Sequence, residues 1–106
     1  SAIDFDGLSI FDYTSNCTEK SSFAVINVPP DVSHRLSWSK RSDKFYYVMD
    51  GKIDFMVNGE TYILNKGDLG IVKKGDKFRY KNDSNEPVLL ILVHTPGFEL
   101  DEEVFE

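Results

Sequence analysis

Phe45-Tyr46-Tyr47-Val48-Met49-Asp50-Gly51-Lys52-Ile53-Asp54-Phe55-Met56-Val57-Asn58-Gly59-Glu60-Thr61-Tyr62-Ile63-Leu64 is the stretch that decides how this chain folds. Aromatic and β-branched residues fill three short runs, divided by Asp50-Gly51 and Asn58-Gly59. Both dipeptides favour the positive φ angles of tight turns between strands, and Asn-Gly predicts a two-residue type I′ hairpin. Ile53, Phe55 and Val57 alternate with Asp54 and Met56, so the middle run keeps one apolar face, as a half-buried strand does. Outward from this centre the pattern repeats. Residues 23–28 read as a strand stopped by Pro29-Pro30, which remove two ladder donors. Downstream, Asn65-Lys66-Gly67-Asp68 turns into residues 69–72, and Lys74-Gly75-Asp76 into residues 77–81. After the polar loop 82–87, residues 88–93 are apolar on both faces, which predicts a central strand. Pro96-Gly97 ends the sheet. Frequent turns between short strands, with no sustained helical period, indicate an all-β sandwich or barrel.

The 106 residues suit a single domain spanning residues 1–106, with a barrel core at about 23–98 and an acidic tail at 99–106. Fourteen aromatic residues, eight Phe, five Tyr and one Trp, exclude a disordered chain. The single cysteine, Cys17, excludes an internal disulfide and fits a reducing compartment; it reads as a bystander thiol. The longest apolar run has six residues, 88–93, too few to span a membrane, and residues 1–6 lack the regions of a signal peptide. A cytoplasmic protein is expected. The formal charge of −6 argues against nucleic-acid binding. Five of the eighteen acids lie at Glu99, Asp101, Glu102, Glu103 and Glu106, so the body is close to neutral. Its bases gather in two windows, one around Arg35, Lys40, Arg41 and Lys44 and the other from Lys73 to Lys81. These windows read either as solvated loops and strand faces or as a basic rim that favours an anionic ligand.

The spacing of residues 29–82 resembles the cupin superfamily, whose members form a double-stranded β-helix, or jelly-roll barrel. The family's first motif is Gly, five residues, His-x-His, three or four residues, Glu, six residues, Gly. This sequence offers Asp31, five residues, Ser37-Trp38-Ser39, four residues, Lys44, six residues, Gly51. The second motif is Gly, five residues, Pro-x-Gly, two residues, His, three residues, Asn. It is met here by Gly67, Lys73-Lys74-Gly75, Phe78 and Asn82 in the same register.

The resemblance implies the barrel and, equally, a loss. Where the family's metal ligands stand, this chain has Ser37, Ser39, Lys44 and Phe78. Hydroxyls, a phenyl ring and an ammonium form no ligand set, so no metal and no cofactor is expected. His34, in the loop before Ser37, is expected at solvent or the barrel mouth, and His94 on one face with Leu90 and Leu92. The family's ligand positions point inward, so Ser37, Ser39, Lys44, Tyr46, Phe78 and Tyr80 are expected to line a cavity floored by Ile53, Phe55 and Val57. Trp38 should face away. An unpaired Lys44 there would be costly, and Asp31, Asp43 and Asp68 are the partners the sequence suggests.

Three functions compete. The first is metal-independent binding of a small anionic or sugar-like metabolite. The second is a metal-free enzyme of isomerase, epimerase, dehydratase or cyclase type, with Lys44, Tyr46, Tyr80 or His94 moving a proton. The third is a non-catalytic interaction module. Related cupins commonly associate through outer strands, so a homodimer is the expected assembly.

Overall fold

The computed structural model describes residues 2–14 and 19–106, and Cys17 lies outside them. Among the described residues eleven strands form: β1 (Ile3–Phe5), β2 (Leu8–Asp12), β3 (Ser22–Val28), β4 (Ser33–Ser39), β5 (Asp43–Asp50), β6 (Lys52–Val57), β7 (Glu60–Asn65), β8 (Leu69–Val72), β9 (Phe78–Lys81), β10 (Val88–Thr95) and β11 (Glu103–Phe105). One 3-10 turn, Leu100–Glu102, precedes β11. The strands make a six-stranded sheet in the order β1-β2-β3-β10-β5-β8 and a five-stranded sheet in the order β11-β4-β9-β6-β7. Every pairing is antiparallel. The two inner faces meet as a jelly roll around Ile26, Val48, Phe55, Phe78, Val88 and Leu90, all buried.

The turns explain the topology. Asn58 and Gly59 have φ of 49° and 84°, the left-handed pair a type I′ hairpin needs, and they join β6 to β7 in register. Asp50-Gly51 does something else. It carries the chain from β5 in one sheet to β6 in the other, so the expected tight turn is a corner of the sandwich rather than a hairpin. Gly51 is required there twice over: its φ is 86°, and an added Cβ would lie 3.0 Å from Val88 Cγ2. The doubly apolar strand is central, as its composition demands, with β3 on one side and β5 on the other. Its inward row is Val88, Leu90, Leu92 and His94.

Three further strands lie outside the 23–98 range. β1 and β2 form a hairpin about Asp6 and Gly7, whose φ values of 53° and 91° are again both positive. The segment after the sheet ends as β11, hydrogen-bonded to the edge of β4.

Asn82 closes the loop that precedes β10. Wholly buried, it donates from Nδ2 to the carbonyls of Val28 (3.0 Å) and Glu86 (2.7 Å). Its Oδ1 accepts from the Ser84 amide and hydroxyl. Asn82→Ala strands a buried carbonyl and an amide, and should cost about 1–3 kcal/mol in urea unfolding at pH 7.5. An unchanged midpoint would show that the loop is held otherwise.

Candidate functional site

Between the sheets, toward β1 and β11, lies a cavity of about 240 Å³. Ala24, Ile26, Leu92 and Tyr46 line it from the six-stranded sheet, and Phe78 and Tyr80 from the five-stranded one. Ile53 and Phe55 are a layer of core beneath this aromatic wall rather than its floor. Phe55 stacks against Tyr80 with centroids 5.5 Å apart, and neither it nor Val57 reaches the cavity.

Lys44 is at the centre of the polar chemistry. Its cross-strand partner on β10 is His94, and both side chains point inward. Lys44 Nζ donates to the carboxylate of Glu103 on β11 and lies 2.9 Å from His94 Nε2. The ring of Phe78 is 5.4 Å from the same nitrogen. The partner is therefore none of Asp31, Asp43 or Asp68. Asp43 and Asp68 instead accept the Lys74 and Asn65 amides at turns. An acidic tail at 99–106, whether a strand or helix on the barrel or a mobile end, gives Glu103 no role. The usable signal was alternation, since Glu103 and Phe105 share an inward face.

Burial governs the titration of these groups. It pushes His94 down to about 3, aided by the Lys44 cation, and His34 down to about 4, so both imidazoles are neutral near pH 7. Neutral His94 accepts at Nε2. Lys44 is lowered by burial and held up by Glu103. The phenols of Tyr46 and Tyr80 are pushed up by burial and stay protonated. Lys44 and Glu103 cancel, leaving the centre without net charge.

His34 is a correction. It is the second residue of β4, not part of the preceding loop, and it faces the cavity. A register shift between His34 and Ser37 against β9 switches the strand's alternation, so both point inward. Its Nδ1 donates to the Arg35 carbonyl (2.7 Å), and its ring lies 5.0 Å from both Phe78 and Tyr80. Ser37 lines the cavity but spends its hydroxyl on the same carbonyl. Ser39 does not line it: its Oγ accepts from the Arg41 and Ser42 amides in the following turn. Lys44, Tyr46, Phe78, Tyr80 and His94 do come together around the cavity. Trp38, between the buried serines, pairs outward-facing with Val104. Among the described residues, two buried side-chain polar atoms, Tyr80 Oη and Glu103 Oε2, have no hydrogen-bond partner.

A divalent metal does not fit this arrangement. Among the described residues no three His, Cys, Asp or Glu side chains gather. The spot where His94 and Glu103 converge is already taken by the Lys44 ammonium.

The family profile described as Cupin domain matches residues 24–94, well over half the chain. The chain belongs to the cupin family. In this cupin Asp31, where the family motif begins with Gly, adopts the glycine-like φ of 65°. The inner kinetochore subunit Cnp3 of Schizosaccharomyces pombe is 30% identical over 84 residues. That match spans 77% of this cupin but only 13% of Cnp3. The solved Cnp3 cupin domain superposes with a TM-score of 0.80 at 22% identity, over 89% of this chain and 69% of that one. Streptomyces PAC13 with uridine gives 0.87 at 19% identity, over 100% and 83%. At these identities the solved structures establish the fold alone. No helix among the described residues is long and apolar enough to cross a membrane.

Proposed function

We propose that this cupin is a non-catalytic interaction module that pairs with a second copy of itself through the outer face of the six-stranded sheet. The observation that carries this is the composition of that face. One row across it reads Phe11, Val25, Ile91, Tyr47 and Leu69, and the next reads Phe23, Val93, Phe45 and Ile71. No charge interrupts either row. Tyr47, Leu69, Ile71, Phe11 and Phe23 are all exposed. The outer face of the other sheet is the opposite case, with Lys81 beside Asp54 and Arg79 beside Met56.

A continuous apolar face on a soluble domain marks a contact surface. For a chain of charge −6, an uncharged patch is where two copies can approach without repulsion. A two-fold contact uses the same patch on both partners, so the rows need no second, complementary surface. The likeness to a kinetochore subunit, a component of an assembly, points the same way.

Catalysis finds less support. A general base works best with a pKa near the working pH, and the two imidazoles lie at about 3 and about 4 while the phenols are raised. The expected anionic metabolite loses its warrant because Glu103 already neutralises Lys44. A second reading, a small neutral ligand in the cavity, draws on the unpartnered Tyr80 Oη and Glu103 Oε2.

Light scattering coupled to size exclusion tests self-association. The wild type should run as a dimer at micromolar concentrations, and Tyr47→Lys combined with Ile71→Glu should run as a monomer. Both positions are exposed, so the thermal midpoint of the variant at high dilution should match that of the dissociated wild type. A wild-type monomer throughout the range would refute the proposal.

A further inference from the structure

We infer that the open end of the barrel is a docking socket for a segment of a partner protein, one that inserts a single large apolar side chain and flanks it with Lys or Arg. This rests on the interaction-module reading but not on self-association, which uses a different surface.

Three observations lead here. The first is size. At about 240 Å³ the cavity is smaller than the roughly 300–1,000 Å³ of pockets that enclose a drug-sized ligand, and its walls are aromatic and aliphatic. The second is the rim. Ile3 is 56% exposed, Leu100 63% and Phe98 40%, although all three border the cavity. A free molecule small enough for the cavity would leave that rim in water, whereas an extended segment covers the rim while its anchor fills the cavity. Interfaces of this design concentrate their energy in such a buried anchor.

The third is charge. Asp12 borders the cavity, and Glu99 and Asp101 flank the exposed Leu100. Of the bases nearby, Lys44 and Arg35 are paired with Glu103 and Asp6, while Arg41, which donates to the carbonyls of Gly97 and Glu19, and Lys40, beside Glu102, offset only part of the acidic set Asp12, Glu99, Asp101 and Glu102. An acidic rim around an apolar socket selects basic residues on either side of an apolar anchor.

The test is fluorescence anisotropy with labelled synthetic peptides carrying one Phe, Leu, Met or Trp between two Lys-Arg pairs. At least one should bind, with affinity falling as salt rises. Replacing its anchor by Ala should weaken binding about thirtyfold, equivalent to about 2 kcal/mol for a buried anchor. Leu100→Glu should weaken it similarly, and Glu99→Lys with Asp101→Lys should remove the salt dependence. These side chains are exposed, so an unchanged thermal midpoint certifies the fold. The Tyr47→Lys, Ile71→Glu variant should bind the peptide as the wild type does, which separates this inference from self-association. Binding by no peptide, or equally by the Ala control, would overturn it. Displacement of the peptide by uridine at comparable affinity would overturn it in favour of a free small molecule.

Discussion

Glu103→Leu is expected to destabilise the fold by about 3–5 kcal/mol, the cost of leaving one member of a buried ion pair without its partner. The side chains of Lys44 and Glu103 are 5% and 2% exposed, so water cannot take over the interaction. For a domain of this size the thermal midpoint should fall by more than about 12 °C. His94 cannot compensate, because it is neutral and supplies only a lone pair. Two controls identify the cause. Lys44→Met combined with Glu103→Leu removes both charges and should restore most of the loss, since an apolar pair of similar volume is often as stable as the ion pair it replaces. In Glu103→Leu alone, the deficit should shrink as pH rises, because burial already lowers Lys44 and a neutral amine costs less to bury. Urea unfolding of the four proteins in the cycle measures the coupling. A single variant as stable as the wild type would show that Glu103 is not the internal counter-charge.

The second large effect is acid sensitivity. In the fold His34 titrates at about 4 and His94 at about 3, both below the ordinary 6.5 because burial disfavours the cation. The unfolded chain therefore takes up protons that the folded chain refuses. Stability is full above about pH 6.5 and falls as pH drops, down to about 4 for His34 and about 3 for His94. Each group contributes up to about 1.4 kcal/mol per pH unit, so moving from pH 7.5 to pH 5 should cost about 4 kcal/mol. Equilibrium unfolding across that interval is the measurement. His34→Gln and His94→Gln should each flatten the slope by about half. A stability independent of pH between 7.5 and 5 would mean that the imidazoles are solvated.

The sheet architecture was readable because it depends on turn chemistry and alternation, which are local. Asn58-Gly59 forced a hairpin, and the unbroken apolar run at 88–93 could only be central. Asp50-Gly51 was half-legible: the dipeptide makes a turn, but which sheet receives the next strand depends on the long-range partners of β5 and β6. The hairpin of β1 and β2 went unread although Ile3, Phe5, Leu8 and Ile10 alternate around Asp6-Gly7. At the site, the inward positions of Lys44, Tyr46, Phe78 and Tyr80 followed from the cupin resemblance, which says which face turns inward, extended along each strand by parity. His34 did not, because a register shift resets parity and leaves no mark in the sequence. Glu103 was hidden by its company: among five acids in eight residues nothing singled it out, and only pairing with β4 turned that one carboxylate inward.

A single thickness of sheet separates the apolar outer rows from the cavity, and no residue of those rows borders the cavity. Covering the one surface leaves the other untouched. Two copies joined back to back would therefore hold out two sockets at a fixed spacing, and a target bearing two matching segments would be gripped bivalently. The second engagement then occurs at high effective concentration, so modest single contacts can add up to durable attachment.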